Sequence, residues 1–438
     1  MNVSVVGLGK LGLPFAFFLA SYGNKVFAID KNKKVKETID KNIKITEPNL
    51  NTYIRKYKKN FTYSEDINIL IKETNITFLV LPTPSKKDGS FSNSFVLSAL
   101  KEISSSLINK KNRNHLIVIT STVSPGSCEN IFIPFLKKNN LKNGKDFSLV
   151  YNPHFIAQGT TIHNLEKPDF LLIGTDSPKT KKNINKFYSS IYKNKEIFKN
   201  TNLKEGEISK ISINSYITTK ISFANYISEL CEKIEGADAQ VVLDVIGEDK
   251  RIRHSYLKIG TKFSGPCFPR DNLALKNFSN KKKVNALIPT MNDKINSLQT
   301  DRIIAILKKI MKKEKKPDIG ILGLTYKTDT NLINNSQGDD LIKLIKKNKI
   351  NYNKINIFDK FLDEHDIKKY DKEMVYIKNL NFFLKRSTII FMMYKDDTIK
   401  IKNKSFGKQK KYFIDCWRSF NSIPKPFKLI SPGKQNNI

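Results

Sequence analysis

The sequence predicts an α/β protein in which two doubly wound domains are joined by a central helical domain. Short apolar runs alternate with helical stretches, which indicates parallel sheets with helices on both faces. A glycine-rich turn follows the first run, and a similar strand–glycine–helix unit begins near Pro317. We expect Rossmann-like domains over residues 1–200 and 301–438, and a helical domain with a long dimerisation helix over residues 201–300.

The composition fits a globular chain with an unusual charge. Hydrophobic residues make up 39% of the 438 residues and aromatic residues 10%, which excludes a disordered chain. The formal net charge is +36, yet only eight of the 77 basic residues are Arg. A nucleic-acid-binding protein is expected to use Arg for bidentate contacts, so we expect no nucleic-acid partner. A basic nucleic-acid-binding protein remains the hypothesis of a different class.

Neither a membrane segment nor a metal or disulfide framework is expected. The longest apolar runs, such as the one from Phe15 to Ala20, are far shorter than the ~20 residues that span a bilayer. The four cysteines are scattered, without the close pairs of a zinc site or a disulfide scaffold. We therefore expect a cytoplasmic protein that holds no metal and does not insert into membranes.

The glycine-rich turn predicts a dinucleotide site. A β-branched run leads into Gly7, Gly9 and Gly12, and an apolar helical stretch follows from Leu13 to Tyr22. The first glycine permits a tight turn, the second lets the backbone approach a pyrophosphate, and the third lets helix and strand pack closely. The pyrophosphate would lie at the helix N-terminus, where unpaired N–H groups and the helix dipole favour an anion.

An acidic residue at the end of the next strand indicates which dinucleotide binds. The predicted strand Lys25–Ile29 is followed by Asp30, at about the spacing from the turn that the dinucleotide fingerprint requires. Its carboxylate would accept hydrogen bonds from ribose hydroxyls and repel a 2′-phosphate, which favours NAD over NADP. FAD binds to the same glycine pattern and remains an alternative cofactor at this point.

Polar residues follow three later predicted strands of the first domain. They are Thr83, Ser121 with Thr122, and Asn152 with His154. In a doubly wound sheet, ligands bind at the carboxyl edge of the strands. A single Ser or Thr there would be a helix N-cap, but three successive strand ends favour a site.

A long helix is predicted from Gly206 to Ile234. Its apolar residues recur at spacings of three and four along one face: Ile217, Ile221, Ala224, Ile227, Cys231 and Ile234. Further apolar residues lie outside this stripe, for example Ile213, Phe223 and Leu230. We expect the second side to be covered in a homodimer, although flanking domains of the same chain could cover it. Lys210 and Asn214 share a face of the same helix.

A loop rich in Gly and Pro places Cys267 just before a helix that Pro269 could open. The positive helix end and nearby basic side chains would lower the pKa of this thiol below its usual value of about 8.5. The sequence therefore predicts a thiolate nucleophile here, with Asp271 in the first helical turn. The remaining cysteines are expected to be small buried residues; they are Cys128, Cys231 and Cys416.

The second strand–glycine–helix unit predicts a different nucleotide site. Its predicted elements are a strand Ile319 to Leu324, a helix Ser336 to Lys347 and a strand Ile355 to Phe358, followed by Asp359. The second and third glycines are missing, because Thr325, Tyr326 and Lys327 follow Gly323-Leu324. We expect Lys327 to meet a phosphate or sugar, and the polar stretch from Pro424 onward to be a frayed tail.

These motifs together resemble those of the UDP-glucose/GDP-mannose dehydrogenase family over roughly residues 1–420. The most specific stretches are Gly7-Leu8-Gly9, Ser121-Thr122-Val123, Asn152-Pro153, Lys210 through Asn214, and Gly265 through Asp271. The resemblance implies an NAD domain, a central dimer helix and a nucleotide-sugar domain. It also implies oxidation of the C6 hydroxymethyl of a sugar nucleotide to a carboxylate with two NAD⁺.

The resemblance also implies roles for individual residues. Lys210, Asn214 and Asp271 would surround the reacting oxygen, Cys267 would attack the aldehyde, and Thr122 would help to order a water. The cofactor-binding residues would be Gly7, Gly9, Leu11, Gly12, Asp30, Thr83, Ser121 and Thr122. The substrate-binding residues would be Phe155, Ile156, Lys210, Asn214, Arg251 from a second copy, Lys258, Phe263, Gly265 and Lys327.

Two departures and the choice of sugar stay open. The family usually has Glu where this sequence has His154, which puts the second half-reaction in doubt. It usually has Arg where this sequence has Asn334. UDP-glucose is the favoured substrate, and a UDP-N-acetylhexosamine or GDP-mannose is the alternative. A non-catalytic nucleotide-sugar binder is the further alternative of a different class.

Overall fold

The computed structural model describes residues 1–41, 45, 47–110, 114–156, 159–333, 335–402 and 406–436. The chain divides into two compact units. The first unit contains Met1–Ile213 and Asn277–Lys282, and the second contains Asn214–Lys276 and Lys283–Ile438. Within the described ranges, no helix is long and apolar enough to cross a membrane.

The first unit is built on an eight-stranded sheet. Its strands are β1 (Asn2–Val6), β2 (Lys25–Ile29), β3 (Phe61–Tyr63), β4 (Ile76–Leu79), β5 (His115–Ile119), β6 (Phe147–Tyr151), β7 (Leu171–Gly174) and β8 (Phe198–Thr201). They lie in the order β3-β2-β1-β4-β5-β6-β7-β8, and only the β6–β7 pair is antiparallel. The first six strands have the order of a doubly wound dinucleotide-binding fold.

Helices cover both faces of this sheet. They are α1 (Gly12–Ser21), α2 (Lys34–Asp40), α3 (Leu50–Tyr57), α4 (Ile67–Glu73), α5 (Ser94–Ile108), α6 (Ile133–Lys138), α7 (Thr161–Glu166) and α8 (Pro178–Ser189). Helix α1 is apolar nearly throughout, so Phe15, Phe17 and Phe18 are all buried. The glycine turn lies between the carboxyl end of β1 and the start of this helix, at the carboxyl edge of the sheet.

Helix α9 (Leu203–Cys231) begins in the first unit and continues into the second. The further helices of the second unit are α10 (Ala239–Glu248), α11 (Phe268–Lys281), α12 (Leu287–Met311), α13 (Gln337–Lys347), α14 (Glu364–Tyr370) and α15 (Leu380–Arg386). Helix α11 belongs to the second unit except for its last residues. This helical region carries the Cys267 loop.

The second unit has a six-stranded parallel sheet of its own. Its strands are β9 (Ile319–Leu322), β10 (Ile355–Phe358), β11 (Val375–Tyr376), β12 (Ile389–Met392), β13 (Lys411–Asp415) and β14 (Phe427–Ile430). Their order is β11-β10-β9-β12-β13-β14, which repeats the doubly wound pattern of the first unit. The predicted fold class, with two parallel sheets and a helical region between them in sequence, is confirmed.

The structure overturns the prediction of a frayed tail after Pro424. Residues Phe427–Ile430 form β14, which pairs in parallel with β13 at the edge of the second sheet. Phe427 and Ile430 are buried there, while the two residues between them are half-buried. Because an edge strand needs only one hydrogen-bonded neighbour, it accepts the nearby prolines and a lysine.

Helix α9 buries polar residues and exposes apolar ones. Its buried polar residues in the second unit are Asn214, Ser215, Thr218, Ser222, Asn225 and Ser228. Its exposed large apolar residues there are Tyr216, Phe223, Tyr226 and Leu230. Of the predicted apolar stripe, Ala224 and Cys231 are buried, Ile217, Ile221 and Ile227 are half-buried, and Ile234 lies beyond the helix and is exposed. The stripe prediction is therefore only half right.

Candidate functional site

The turn after β1 has the shape that a pyrophosphate needs. Gly7 has φ +95°, and a Cβ atom on Gly12 would lie 1.9 Å from the Gly7 carbonyl oxygen. A Cβ on Gly9 would meet nothing within 4 Å, so the space beside this residue is open. Leu11 provides no side-chain cap for α1, which leaves N–H groups at the start of the helix for an anion. These residues fit the diphosphate of a dinucleotide.

Asp30 lies at the end of β2 and faces this turn. Its Oδ2 accepts a hydrogen bond of 2.6 Å from the N–H of Leu8, and its Oδ1 accepts one of 2.7 Å from Asn32. These two bonds fix the carboxylate beside the glycine turn. Each carboxylate oxygen keeps a further lone pair, so ribose hydroxyls can still donate to it.

The polar residues after β4 and β5 hold the two strand ends together. The Ser121 hydroxyl accepts from the Leu81 N–H at 2.9 Å and donates to the Leu81 carbonyl at 2.8 Å. The Thr83 hydroxyl donates to the Thr122 carbonyl at 2.6 Å. Ser121 and Thr83 are buried and Thr122 is half-buried. Thr83 and Ser121 therefore shape the carboxyl edge through contacts with neighbouring loops.

Lys210 binds the segment that follows β6. Its Nζ donates a hydrogen bond of 2.8 Å to the His154 carbonyl and lies 4.2 Å from the centre of the Phe155 ring. The His154 ring stands edge-on to Phe15 at 4.5 Å, and its buried Nδ1 has no hydrogen-bond partner. Burial, with a smaller contribution from the charge of Lys210, lowers the pKa of His154 to about 3. The imidazole is therefore neutral and weakly basic near neutral pH.

The same segment borders a pocket in the first unit that is open to solvent. The residues around it are mostly aromatic or aliphatic and include Phe15, His154, Phe155, Ile156, Phe170 and Tyr192. Phe155 also packs on Phe170 with ring centres 4.7 Å apart. The predicted substrate residues Phe155 and Ile156 thus lie beside Lys210, on the wall of this pocket.

In the second unit, Asn214 and Asp271 are in direct contact. Asn214 Nδ2 donates to Asp271 Oδ2 at 2.6 Å, and Arg270 Nε donates to Asp271 Oδ1 at 3.1 Å. Asp271 is fully buried in the first turn of α11. Its N–H in turn donates to the carbonyl of the exposed Cys267 at 2.8 Å. The structure thus brings Asn214, Asp271 and the thiol-bearing residue into one cluster.

Side-chain amides hold the loop that precedes Cys267. Asn296 accepts from the Phe263 N–H at 2.7 Å and donates to the Phe263 carbonyl at 2.9 Å. Gln299 donates to the Gly260 carbonyl at 2.7 Å, and Gln337 accepts from the Lys262 N–H at 2.9 Å. The predicted substrate loop has no regular secondary structure, so hydrogen bonds from side chains distant in sequence hold its backbone in place.

An aromatic ring packs against the backbone of the same loop. A Cβ on Gly265 would lie 2.6 Å from ring atoms of Tyr326, so only glycine fits there. Burial, with a smaller contribution from the nearby charge of Cys267, raises the pKa of Tyr326 to about 12. Lys327 Nζ lies 5.9 Å from the Tyr326 ring centre, which places this predicted substrate residue close to the loop.

Two predicted substrate residues lie at the surface. Lys258 is exposed. Arg251 is also exposed, and its guanidinium pairs with Asp249, with Nη2 2.6 Å from Oδ2. Asn334, which stands where the family usually has Arg, lies outside the described residues. Within the described ranges, no cluster of His, Cys, Asp or Glu could hold a metal ion.

Sequence patterns did not indicate several residues that build these sites. Arg270 and Tyr326 adjoin predicted residues in the sequence, and that adjacency could have suggested them. No local signal could have suggested Asn296, Gln299 or Gln337, because they contact the loop from distant helices.

The glycine turn with its acidic partner, and the second doubly wound sheet, define a class of nucleotide-binding proteins with two Rossmann-like domains. Matches to family models identify one family within this class. Residues 1–193 match the NAD-binding domain of the UDP-glucose/GDP-mannose dehydrogenase family, residues 204–298 its central domain, and residues 320–422 its UDP-binding domain. The chain belongs to this family, and its cofactor is NAD.

Individual relatives agree with the family assignment. A UDP-glucose 6-dehydrogenase of Rickettsia bellii (strain RML369-C) is 33% identical over 351 residues, which cover 78% of each chain. The structure of a UDP-glucose dehydrogenase from Pyrobaculum islandicum superposes with a TM-score of 0.88 at 23% identity, covering 99% of this chain and 98% of that one. A UDP-D-ManNAc dehydrogenase from Pyrococcus horikoshii superposes with a TM-score of 0.84 at 22% identity, covering 99% of both chains. At such identities the structural likeness shows the fold alone.

Proposed function

We propose that this protein oxidises the C6 hydroxymethyl group of UDP-glucose to the carboxylate of UDP-glucuronate, with two NAD⁺ per turnover. The observation that carries the proposal is the contact of Asn214 with Asp271, in a helix that starts directly after an exposed cysteine. A binding protein would need a nucleotide site alone. Covalent aldehyde oxidation needs in addition an accessible nucleophile, which the exposed Cys267 at the start of this helix would supply.

The side chains would act in the following order. Lys210 Nζ stabilises the alkoxide that develops as C6 is oxidised to the aldehyde. The Cys267 thiolate attacks the aldehyde carbon, and the resulting thiohemiacetal loses a second hydride to become a thioester. Water ordered by Thr122 and Asp271 hydrolyses the thioester, which releases the uronate and the thiol. NAD, when bound, supplies the hydride acceptor.

His154 bears on the last step. A neutral imidazole can hold the attacking water, but a side chain with a lowered pKa is a weak base. Two outcomes stay open: hydrolysis proceeds with His154 as a water-holder, or the thioester accumulates. A single turnover distinguishes them, since complete turnover gives two NADH and free uronate, whereas stalled hydrolysis leaves a covalent adduct on Cys267.

The sugar is assigned to glucose because the Rickettsia bellii relative bears that name. The resemblance of fold to a UDP-D-ManNAc dehydrogenase keeps a UDP-N-acetylhexosamine as the second candidate, with GDP-mannose third. We further propose that residues 1–200 bind NAD, residues 201–300 carry the cysteine loop and the dimer helix, and residues 301–438 bind the sugar nucleotide.

The test is NADH formation by the pure protein with NAD⁺ and a panel of sugar nucleotides. We expect two NADH per UDP-glucose and slower turnover of the other sugars. Faster turnover of a UDP-N-acetylhexosamine would move the assignment to the second candidate. No NADH with any sugar, together with salt-sensitive DNA binding, would overturn the enzymatic function.

We also propose a homodimer built on α9. The exposed apolar residues Tyr216, Phe223, Tyr226 and Leu230 recur at spacings of seven, three and four, so they form one stripe along the helix. Such a stripe on a surface indicates a covered interface. A second copy is the natural partner, because most soluble oligomers are symmetric assemblies of one chain. In this arrangement Arg251 would approach the sugar-nucleotide site of the second copy.

Sedimentation tests the dimer. Phe223→Glu places a charge in the stripe and should convert the protein to a monomer. Phe95→Glu is the matched control, because Phe95 is similarly exposed, 45% against 43%, but lies on α5 of the first unit. A wild-type protein that stays monomeric at all concentrations contradicts the dimer and removes Arg251 from the site.

A further inference from the structure

A buried carboxylate on α9 joins this helix to the loop that follows β5, within the first unit. Glu207 is fully buried, and its two carboxylate oxygens accept hydrogen bonds from the backbone N–H groups of Gly126 and Cys128, the latter at 2.8 Å. Neither catalysis nor cofactor binding, as described above, uses this residue. Its partners are backbone groups, so the contact fixes the course of the chain at residues 126–128.

The contact satisfies the start of a helical segment. A π turn at Cys128–Phe132 leads into α6, and its N-cap residue Ser127 provides no side-chain cap. The Ser127 N–H donates to the Ser124 carbonyl, whereas the N–H groups on either side of it donate to Glu207. Unpaired donors and the helix dipole both favour a negative charge at this place. Glu207 supplies that charge from another helix.

Burial and hydrogen bonding have opposite effects on the pKa of Glu207. Burial raises the pKa of its carboxyl group, and the neighbouring Glu129 raises it as well, while the bonds from Cys128 and Gly126 lower it. A buried carboxylate is tolerated only when its hydrogen bonds are made. The loop and the carboxylate therefore depend on each other for their positions.

The next turn of α9 holds the neighbouring loop. Lys210 follows Glu207 by three residues, and its Nζ binds the His154 carbonyl beyond β6. Strands β5 and β6 are paired in parallel, so both loops leave the same edge of the sheet. Two successive turns of one helix thus anchor two adjacent loops, one with Thr122 and one with His154.

We propose that Glu207 is a positioning residue for the oxidation. It acts by fixing the loop of residues 121–126 relative to Lys210, so that Thr122 and the Lys210 ammonium keep their spacing during hydride transfer. The inference rests on the proposed function, since that proposal gives Thr122 and Lys210 their roles. Glu207 itself touches neither substrate nor cofactor.

The test compares Glu207→Gln with a matched control. Lys204→Gln removes the exposed Lys204–Glu129 ion pair, which joins the same helix to the same segment at the surface. In Glu207→Gln we expect kcat to fall about 10- to 100-fold, the range that a small displacement of reacting groups causes. The KM for the sugar should stay within about twofold, because uniform binding is retained. Lys204→Gln should keep wild-type kcat.

Two further measurements separate positioning from general damage. With a sugar carrying deuterium at C6, the isotope effect on kcat should rise in Glu207→Gln, since hydride transfer becomes the slow step. Glu207→Asp should recover part of the activity. Wild-type kcat in Glu207→Gln, or an equal loss in Lys204→Gln, overturns the proposal.

Hydrogen exchange tests the contact without any activity. The amides of Gly126 and Cys128 should exchange faster in Glu207→Gln than in wild type, and Lys204→Gln should leave them protected. Unchanged exchange overturns the proposed anchoring even if the enzyme turns over. If the wild type reduces no NAD⁺ with any sugar, the proposed function fails while this measurement still decides whether Glu207 anchors the loop. Should Glu207→Gln not fold, Glu207→Asp takes its place in the same measurement, and unchanged exchange there has the same meaning.

Discussion

The two sheets begin with the same turn and differ in what surrounds it. Gly7 and Gly323 both follow the first strand of their sheets, with φ of +95° and +93°. Each turn is paired with an acidic residue after the next strand: Asp30 accepts from the N–H of Leu8, and Asp359 accepts from the equivalent N–H after Gly323. Up to this point the two sites are alike.

The first turn is open and the second is filled by the chain. Helix α1 starts directly after the first turn, and the position of Gly9 is unobstructed. In the second turn Thr325 stands at the position of Gly9; it is buried, and its hydroxyl donates to Asp359 Oδ2 at 3.0 Å. The Asp359 carboxylate is buried, and Oδ2 alone accepts three hydrogen bonds. The turn builds the fold in both units, but only the open turn offers room for a dinucleotide.

Removal of the proposed nucleophile should have the largest effect and should show different consequences for catalysis and for NAD binding. Cys267→Ala should lower uronate formation at least about 1000-fold, because the aldehyde has no thiolate to capture it. The affinity for NAD should stay within about twofold, since the glycine turn belongs to the other unit. Product analysis and NAD titration measure the two effects.

The matched control for that variant is Cys231→Ala, which removes a buried thiol from α9. It should keep uronate formation. Uronate produced at the wild-type rate by Cys267→Ala would show the covalent mechanism to be wrong.

The two helix-start glycines should respond differently to alanine. In the first unit, a Cβ on Gly12 lies 1.9 Å from a backbone oxygen, so α1 must move. We expect Gly12→Ala to lower the free energy of unfolding by about 3 kcal/mol. In the second unit, a Cβ on Gly338 lies 3.1 Å from the Gly323 oxygen. There the gain of about 1 kcal/mol from alanine in a helix should offset the crowding.

Denaturant unfolding of both variants measures this difference. Equal losses would mean that the two turns are equally crowded, which contradicts their geometry.

Substitution of Asp30 should weaken NAD binding, whereas substitution of Asp359 should lower the stability of the fold. Asp30→Asn should weaken NAD binding about 10-fold, because a charged acceptor for the ribose is lost. Asp359→Asn should leave NAD binding unchanged and lower the free energy of unfolding by about 2 kcal/mol, since buried N–H donors then face an amide. Titration with NAD and denaturant unfolding distinguish the two. A loss of NAD affinity in Asp359→Asn would end the distinction between an open and a filled turn.

A further prediction concerns acid. The pKa of His154 is lowered to about 3 in the folded chain, against about 6.5 in an unfolded one. Its contribution to stability is therefore complete above pH 6.5 and is lost as the pH falls towards 3, by at most about 1.4 kcal/mol per pH unit. His154→Gln should flatten this loss in the first unit and leave the kcat profile above pH 5 unchanged in shape. An acid limb above pH 5 that disappears in His154→Gln would show that this imidazole titrates during catalysis.

Local sequence patterns predicted the elements whose buried positions are set by the apolar residues of the element itself. Strands β2 and β10 begin and end where the sequence predicted, because apolar residues are bounded by turn residues there. The long helix was predicted too, but not its buried face. That face depends on polar partners elsewhere in the chain, as when Asn272 binds Ser215.

The residues of the sites show the same difference between local signals and contacts from distant parts of the sequence. The glycine turn and the Cys267 loop carry their own signals, since both need special backbone conformations in a short stretch. Glu207 and Asn296 gave no signal, because they bind backbone atoms far away in sequence. The polar composition after Pro424 predicted a frayed tail, but an edge strand of the second sheet forms there.

The strand order of both sheets also suits synthesis on the ribosome. In the second unit β10 and β11 add to one side of β9, and β12, β13 and β14 then add to the other side. Every strand after the first thus emerges after a neighbour with which it will pair, and the first sheet grows in the same way. Only the first strand of each sheet has to wait for a partner not yet translated, which limits the exposure of unpaired strand edges during synthesis.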